Sequence, residues 1–247
     1  MTTLIEMREI HKSFGGIKAL NGVNFRLLPG EILGLVGDNS AGKSTLMKIL
    51  SGAYHKDEGQ ILFEGEQVTF RSPHDSQGRG IEMIYQDFSL CDNMDVASNM
   101  YLGRWPTKGL FVDTKRMEGD ASNVLRRLRV DIPSVKLKVE GLSGGRQQSV
   151  AIARAISLNP KVIVFDEPTA NLSAPAIERL LELMLDLKKQ SIAQVIISHR
   201  LQEIFTVGDR VMVLKRGRYV GERVIRETTE GEILRMIVHG DEEGRVA

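Results

Sequence analysis

The chain has 247 residues, with 33 basic and 32 acidic side chains and a formal net charge of +1. That balance argues against nucleic acid as the main partner, and no apolar run approaches the ~20 residues needed to span a bilayer. The length suits one domain carrying an inserted subdomain, while the single cysteine, Cys91, excludes an intrachain disulfide and points to a reducing compartment.

The first residues, Met1-Thr2-Thr3-Leu4-Ile5-Glu6, lack a basic start, and Glu6 interrupts the apolar stretch, so they do not read as a signal peptide. Leu4, Ile5, Met7 and Ile10, then Val23, Phe25 and Leu27, alternate around the turn pairs Gly15-Gly16, Asn21-Gly22 and Pro29-Gly30. This predicts short strands joined by tight turns. The continuous apolar run Ile32-Leu33-Gly34-Leu35-Val36 predicts a strand buried on both faces. A glycine-rich stretch and a helix over 45–50 follow, which makes a strand–loop–helix unit. Segments 59–63 and 67–70 around Glu64-Gly65-Glu66 predict a hairpin, and 81–85 another strand.

From about residue 95 to about 158 the pattern turns helical, with Val96, Met100 and Tyr101 on one face and Val124, Leu125 and Leu128 on another. Pro106 and Pro133 interrupt it. Strands over 162–165, 195–198 and 211–214 then alternate with a helix over 177–189, and a last helix is expected over 230–238. The reading is one α/β domain over 1–240, with its core at about 1–87 and 159–225, a helical subdomain at about 88–158, and a loose charged tail over 241–247.

Gly37-Asp38-Asn39-Ser40-Ala41-Gly42-Lys43-Ser44 fits the phosphate-loop pattern G-x-x-x-x-G-K-[ST] in full, between a buried strand and a helix. Glycines let the backbone wrap a phosphate with its N–H groups inward, and the helix start adds a positive dipole end. Lys43 supplies charge for the terminal phosphates, and the Ser44 hydroxyl suits Mg²⁺, a hard cation. Asp166-Glu167-Pro168 stands at the end of the 162–165 strand, where ligands bind in parallel sheets. Asp166 is placed to hold Mg²⁺ and Glu167 to polarise an attacking water. Leu142-Ser143-Gly144-Gly145-Arg146-Gln147-Gln148 opens a helix and forms a second phosphate nest, more than one active site needs.

Together these motifs resemble the nucleotide-binding subunits of ABC transporters, over residues 4 to about 221. The resemblance implies an α/β phosphate-loop NTPase core of RecA-like type, with an antiparallel β subdomain and an inserted helical subdomain. It implies an ATPase that works on ATP and Mg²⁺. The phosphate loop would bind ATP through residues 37–45, Thr45 included. Phe14 would stack on adenine, Gln86 would sense Mg²⁺ and the membrane partner, and His199 would contact the γ-phosphate. Catalysis would rest on Glu167, His199 and Lys43, and the metal on Ser44, Gln86 and Asp166. Ser143, Gly144 and Gly145 would close over ATP on the opposite subunit.

Asn171-Leu172-Ser173-Ala174 falls at the family's D-loop, with Ala174 where Asp is common; Arg146 stands where Gln is frequent. The stretches Gly37-Asp38-Asn39, Phe70-Arg71-Ser72-Pro73 and Asn99-Met100-Tyr101-Leu102-Gly103-Arg104 resemble the monosaccharide importers of the ribose, xylose and fructose type. Many members of that group fuse two nucleotide domains, whereas here one domain carries every motif, so a homodimer with two equivalent sites is expected. The resemblance implies a place on the cytoplasmic face of the membrane, with permease subunits and an extracytoplasmic sugar-binding protein as partners, and residues 99–104 are the candidate docking surface. The alternative is a soluble ATPase of the same superfamily with a regulatory or nucleic-acid-associated role.

Overall fold

A computed structural model describes residues 3–87, 89–128, 130–170 and 172–240. The chain opens with two long antiparallel strands, β1 (Ile5–Phe14) and β2 (Ile17–Leu27), in place of several short ones. Only Gly15-Gly16 makes a tight turn between them. The Asn21-Gly22 pair is absorbed inside β2, where register shifts interrupt the β1–β2 ladder, because a bulge accommodates turn-forming residues without ending a strand.

Next come β3 (Ile32–Val36), α1 (Lys43–Leu50), the hairpin β4 (Glu58–Phe63) and β5 (Glu66–Val68), α2 (Pro73–Gly78) and β6 (Ile81–Ile84). The middle of the chain holds α3 (Val96–Met100), a small hairpin of β7 (Thr107–Lys108) and β8 (Phe111–Val112), α4 (Thr114–Arg127) and α5 (Gly144–Ile156). The last part runs β9 (Val162–Asp166), α6 (Ala174–Lys189), β10 (Ala193–Ile197), α7 (Leu201–Val207), β11 (Arg210–Lys215), β12 (Arg218–Val224) and α8 (Glu230–His239).

Two main sheets result, in the strand orders β2-β1-β4-β5 and β12-β11-β3-β10-β9-β6. The second is parallel except for β12, which runs antiparallel to β11. Every residue of β3, β9 and β10 is buried, which is why those strands read as unbroken apolar runs. Helix α1 buries Leu46, Met47 and Leu50 between the sheets, against Ile5, Phe63, Leu33 and Val164. On the far face of the larger sheet, Ile32, Phe165 and Ile196 meet Met184 of α6 and Ile204 of α7.

A third apolar cluster gathers Val96, Met100, Leu125, Val150 and Ala153. Helix α5 serves two clusters at once: Val150 and Ala153 face the third, while Ala151, Ile152 and Ala155 face the sheet. Its small alanines allow that close double approach. The fold is the expected α/β one, with an antiparallel β sheet on one side.

Candidate functional site

The loop after β3 is shaped by glycines that no other residue could replace. Gly37 has φ 149°, and a Cβ there would sit 2.1 Å from the carbonyl oxygen of Leu214. Gly42 has φ 98°, and a Cβ there would sit 2.7 Å from the carbonyl oxygen of Ala19. The loop is tied down elsewhere too: Gly217 N–H donates to Ala41 O at 3.0 Å, and Ala41 N–H to Asp38 O at 3.0 Å. Gly42 caps α1 and offers no side-chain acceptor to its first N–H groups, which leaves a donor-rich helix start suited to an anion.

Lys43 folds back over this loop. Its Nζ donates to Gly37 O at 2.8 Å and to Asp38 O at 2.9 Å. Burial pushes its pKa down, opposed by the nearby carboxylates of Glu167, Asp166 and Asp38. Asp38, Asn39 and Ser40 form the exposed rim, and Thr45 follows Ser44 in the first turn of α1.

Asp166 is the last residue of β9 and pairs in register with Ile197 of β10. The Ser44 hydroxyl donates to its Oδ1 at 3.0 Å. Burial pushes the Asp166 carboxyl above its ordinary range, and the Ser44 hydrogen bond works against that push. Glu167 turns out of the strand with φ 51°. Its N–H donates to Ile197 O at 2.9 Å, and its Oε2 lies 2.8 Å from Nδ1 of His199. Phosphate loop, acidic pair and histidine thus meet at the C-terminal ends of β3, β9 and β10, the edge where parallel sheets place ligands.

A hydroxyl and a carboxylate of this kind fit Mg²⁺ as oxygen donors. Among the described residues no cluster of three or more His, Cys, Asp or Glu could hold a metal by itself. The donor set therefore suits a cation that also takes phosphate oxygens and keeps waters.

Phe14 lies at the end of β1 and is 45% exposed. It meets Tyr54 edge to face, with centroids 5.3 Å apart, and Lys12 Nζ sits 5.3 Å from its centroid. It is an open aromatic face rather than a core residue. Gln86 is exposed just beyond β6, and no described hydrogen bond joins it to Ser44 or Asp166. Ser143 and Gly144 are exposed and Gly145 half-buried at the start of α5, where Ser143 makes no side-chain cap. None of the three is hydrogen-bonded to the Lys43–His199 group among the described residues. Arg146 pairs with Asp131 at 3.0 Å. Asn171 lies outside the described residues, as does the tail over 241–247; Ala174 opens α6.

The docking stretch needs correction. Asn99 is fully buried. Its amide holds the loop before α3, accepting from Cys91 N–H at 2.7 Å and donating to Cys91 O at 2.9 Å. Met100 is buried as well, and Arg104 donates inward to Met100 O, Arg154 O and Ser157 Oγ. Asn99 and Met100 are thus internal and Tyr101 and Arg104 half-buried, which leaves Leu102 and Gly103 as the exposed part of the stretch.

Four residues behind the site escaped sequence reasoning: Gln148, Thr169, Ser198 and Glu203. Gln148 donates to Pro168 O, while Glu203 accepts from Thr169 and Ser198. The available signal was Glu203 between Leu201 and Ile204, the buried face of a short helix. A cavity of about 580 Å³ lies behind His199, between α6, α7 and α8, and excludes Lys43 and Asp166; it is not the phosphate site.

Residues 20–170 match the ABC transporter family. The chain belongs to that family. The cassette is 43% identical to a xylose/arabinose import ATP-binding protein of Sulfolobus acidocaldarius, over 94% of this chain and 93% of that protein. It is 44% identical to a ribose import ATP-binding protein of Geobacillus kaustophilus, over 95% of this chain but 48% of the relative. The cassette therefore spans about half the length of that bacterial protein. Among solved structures, a nucleotide-free ATP-binding cassette from an ABC transporter matches with a TM-score of 0.81 at 28% identity, over 94% of each chain. A dimeric bacterial ABC transporter cassette matches with a TM-score of 0.78 at 26% identity, over 91% of this cassette and all of that chain. No helix among the described residues is long and apolar enough to cross a membrane.

Proposed function

We propose that this cassette is the ATP-hydrolysing subunit of a monosaccharide importer, working as a homodimer at the cytoplasmic face of the membrane. The observation that carries hydrolysis is the 2.8 Å contact between Glu167 and His199, set beside a phosphate loop and Asp166. The sugar class rests on the names of the relatives, which are import proteins for ribose, xylose and arabinose.

Lys43 leaves its two carbonyl partners to meet the terminal phosphates, and the loop N–H groups hold the others. The Phe14 face receives the adenine ring. Ser44 and Asp166, with Gln86 brought in from the end of β6, would hold Mg²⁺, which supplies positive charge to the phosphate oxygens. Glu167 orients water for in-line attack, and His199 steadies Glu167 and meets the γ-phosphate. Ser143, Gly144 and Gly145 of a second copy close over the nucleotide; the exposure of Ser143 and Gly144 at a helix start without a side-chain cap supports that role.

The permease contact is better placed on the β7–β8 hairpin than on residues 99–104. Leu110 is 98% and Phe111 79% exposed there, an apolar tip of the sort that marks protein contacts. An extracytoplasmic sugar-binding protein would deliver the substrate.

The test is phosphate release by the purified cassette, followed by transport of a sugar panel in vesicles holding its permease. Glu167→Gln with ATP should elute as a dimer in gel filtration. A strictly monomeric species sinks the homodimer, and binding to ribosomes or DNA in place of a permease sinks the importer.

A further inference from the structure

Glu167 holds φ 51° without being a glycine. That conformation costs on the order of 1–3 kcal/mol and persists only where neighbours over-determine it. Two buried side chains grip the segment just beyond it, one through its backbone and one through a side-chain hydroxyl. Gln148, 2% exposed on α5, donates its amide to Pro168 O at 2.6 Å. Glu203, 5% exposed on α7, accepts through the single oxygen Oε2 from Thr169 Oγ1 and from Ser198 Oγ, each at 2.9 Å.

Thr169 lies two residues past Glu167, and Ser198 directly precedes His199. One carboxylate oxygen therefore joins the loop that carries Glu167 to the loop that carries His199. Ser198 Oγ also accepts from Arg200 N–H at 3.0 Å, so the serine is oriented on both its donor and its acceptor side. The other oxygen of Glu203 has no hydrogen-bond partner; Arg200 Nη1 stands 3.6 Å away from it. A buried carboxylate with one oxygen left without a hydrogen bond is a poor device for stability alone.

We propose that Glu203, opposed by Gln148 across Pro168-Thr169, is a positioning residue that sets the Glu167–His199 pair in its hydrolytic geometry. It acts through the two loops and touches no nucleotide. This rests on the reading of Glu167 and His199 as hydrolysis residues.

The experiment uses the full chain with Mg-ATP, measuring single-turnover and steady-state phosphate release beside equilibrium binding of a fluorescent ATP analogue. Glu167→Gln and His199→Ala come first: if either keeps the wild-type rate, the parent reading fails and Glu203 is not at issue. With both slow, Glu203→Ala should lower kcat by roughly tenfold to a hundredfold, the loss expected from misplacing a catalytic group by about 1 Å. Nucleotide affinity should stay within about threefold, which a general loss of structure would not allow. Glu203→Gln keeps an oxygen for both hydroxyls and should recover kcat to within about fivefold of wild type. Added to His199→Ala, Glu203→Ala should cost less than about twofold more, because it acts through that pair.

Wild-type kcat in Glu203→Ala, fully multiplicative effects, or equal losses in affinity and kcat would each overturn the proposal. If Glu203→Ala does not fold, Ser198→Ala and Thr169→Val each remove one hydroxyl. Lowered kcat in both supports the proposal, and normal kcat in both overturns it.

Discussion

The Ser44 hydroxyl donates to Oδ1 of Asp166 at 3.0 Å, joining residues 122 positions apart in the chain. The bond links the first turn of α1 to the end of β9 and keeps two hard oxygens together. Burial raises the Asp166 carboxyl above its ordinary 3.8. A raised carboxyl contributes stability below that ordinary value and loses it as pH rises through the elevated one. Above its raised pKa the ionised carboxyl therefore opposes folding until a cation meets it. Asp166→Asn should melt no lower than wild type without nucleotide, yet lose the rise in Tm that Mg-ATP confers on the native cassette. Thermal melts at pH 7 with and without Mg-ATP read both. A much lower Tm without nucleotide contradicts the assignment.

Lys43 follows the same logic with the opposite charge. Burial pushes its pKa below the ordinary 10.5. A depressed lysine contributes stability that is present above its ordinary value and lost as pH falls through the lowered one, so below that range its burial is a cost. Lys43→Ala should fold at least as well as wild type and fail to bind or turn over ATP. Phosphate release and analogue binding check the loss, and normal ATPase activity in this variant removes Lys43 from the site.

Glu82 of β6 is a buried carboxyl outside the Lys43–His199 group. Burial pushes its carboxyl from 4.5 to about 7, against the pull of the Gln77 hydrogen bond and of Arg104 and Arg154. Gln77 Nε2 donates to Oε2 at 3.2 Å, while Oε1 has no hydrogen-bond partner. The raised pKa gives stability that is complete below 4.5 and lost as pH rises through about 7. Between pH 6 and 8 the native Tm should therefore fall more steeply than that of Glu82→Gln. Parallel pH–Tm curves would show that Glu82 does not titrate in that window.

The phosphate loop and the acidic strand end were legible because their signals are local. The unbroken apolar runs at 32–36 and 162–165 mark buried parallel strands, and the functional residues follow those strands directly. The Glu203 bridge was not legible, since it depends on two loops brought together by sheet order. Asn99 shows the same limit from the other side: helical spacing gives faces but not which face is covered, so a buried amide passed for surface. The β7–β8 hairpin hid within a helical context beside Pro106. Helix α6 begins at Ala174 rather than 177, and its signal, Ser173 before a proline at the first turn, was in the sequence.

That hairpin carries the last prediction. Gly109, at φ 65°, closes a turn that holds Leu110 and Phe111 in solvent. A two-stranded hairpin is marginal by itself, and the exposed tip adds nothing to the apolar clusters below it. Replacing Leu110 and Phe111 with serine should change stability by no more than about 0.5 kcal/mol, as at other surface sites. Basal ATP hydrolysis should stay within about twofold of wild type, because no nucleotide-binding residue lies on the hairpin. Sugar uptake in vesicles should fall by roughly tenfold or more if the tip anchors the permease, since exposed aromatic anchors dominate such contacts. Uptake at the wild-type level with stable, active variant protein would move the docking surface elsewhere on the cassette.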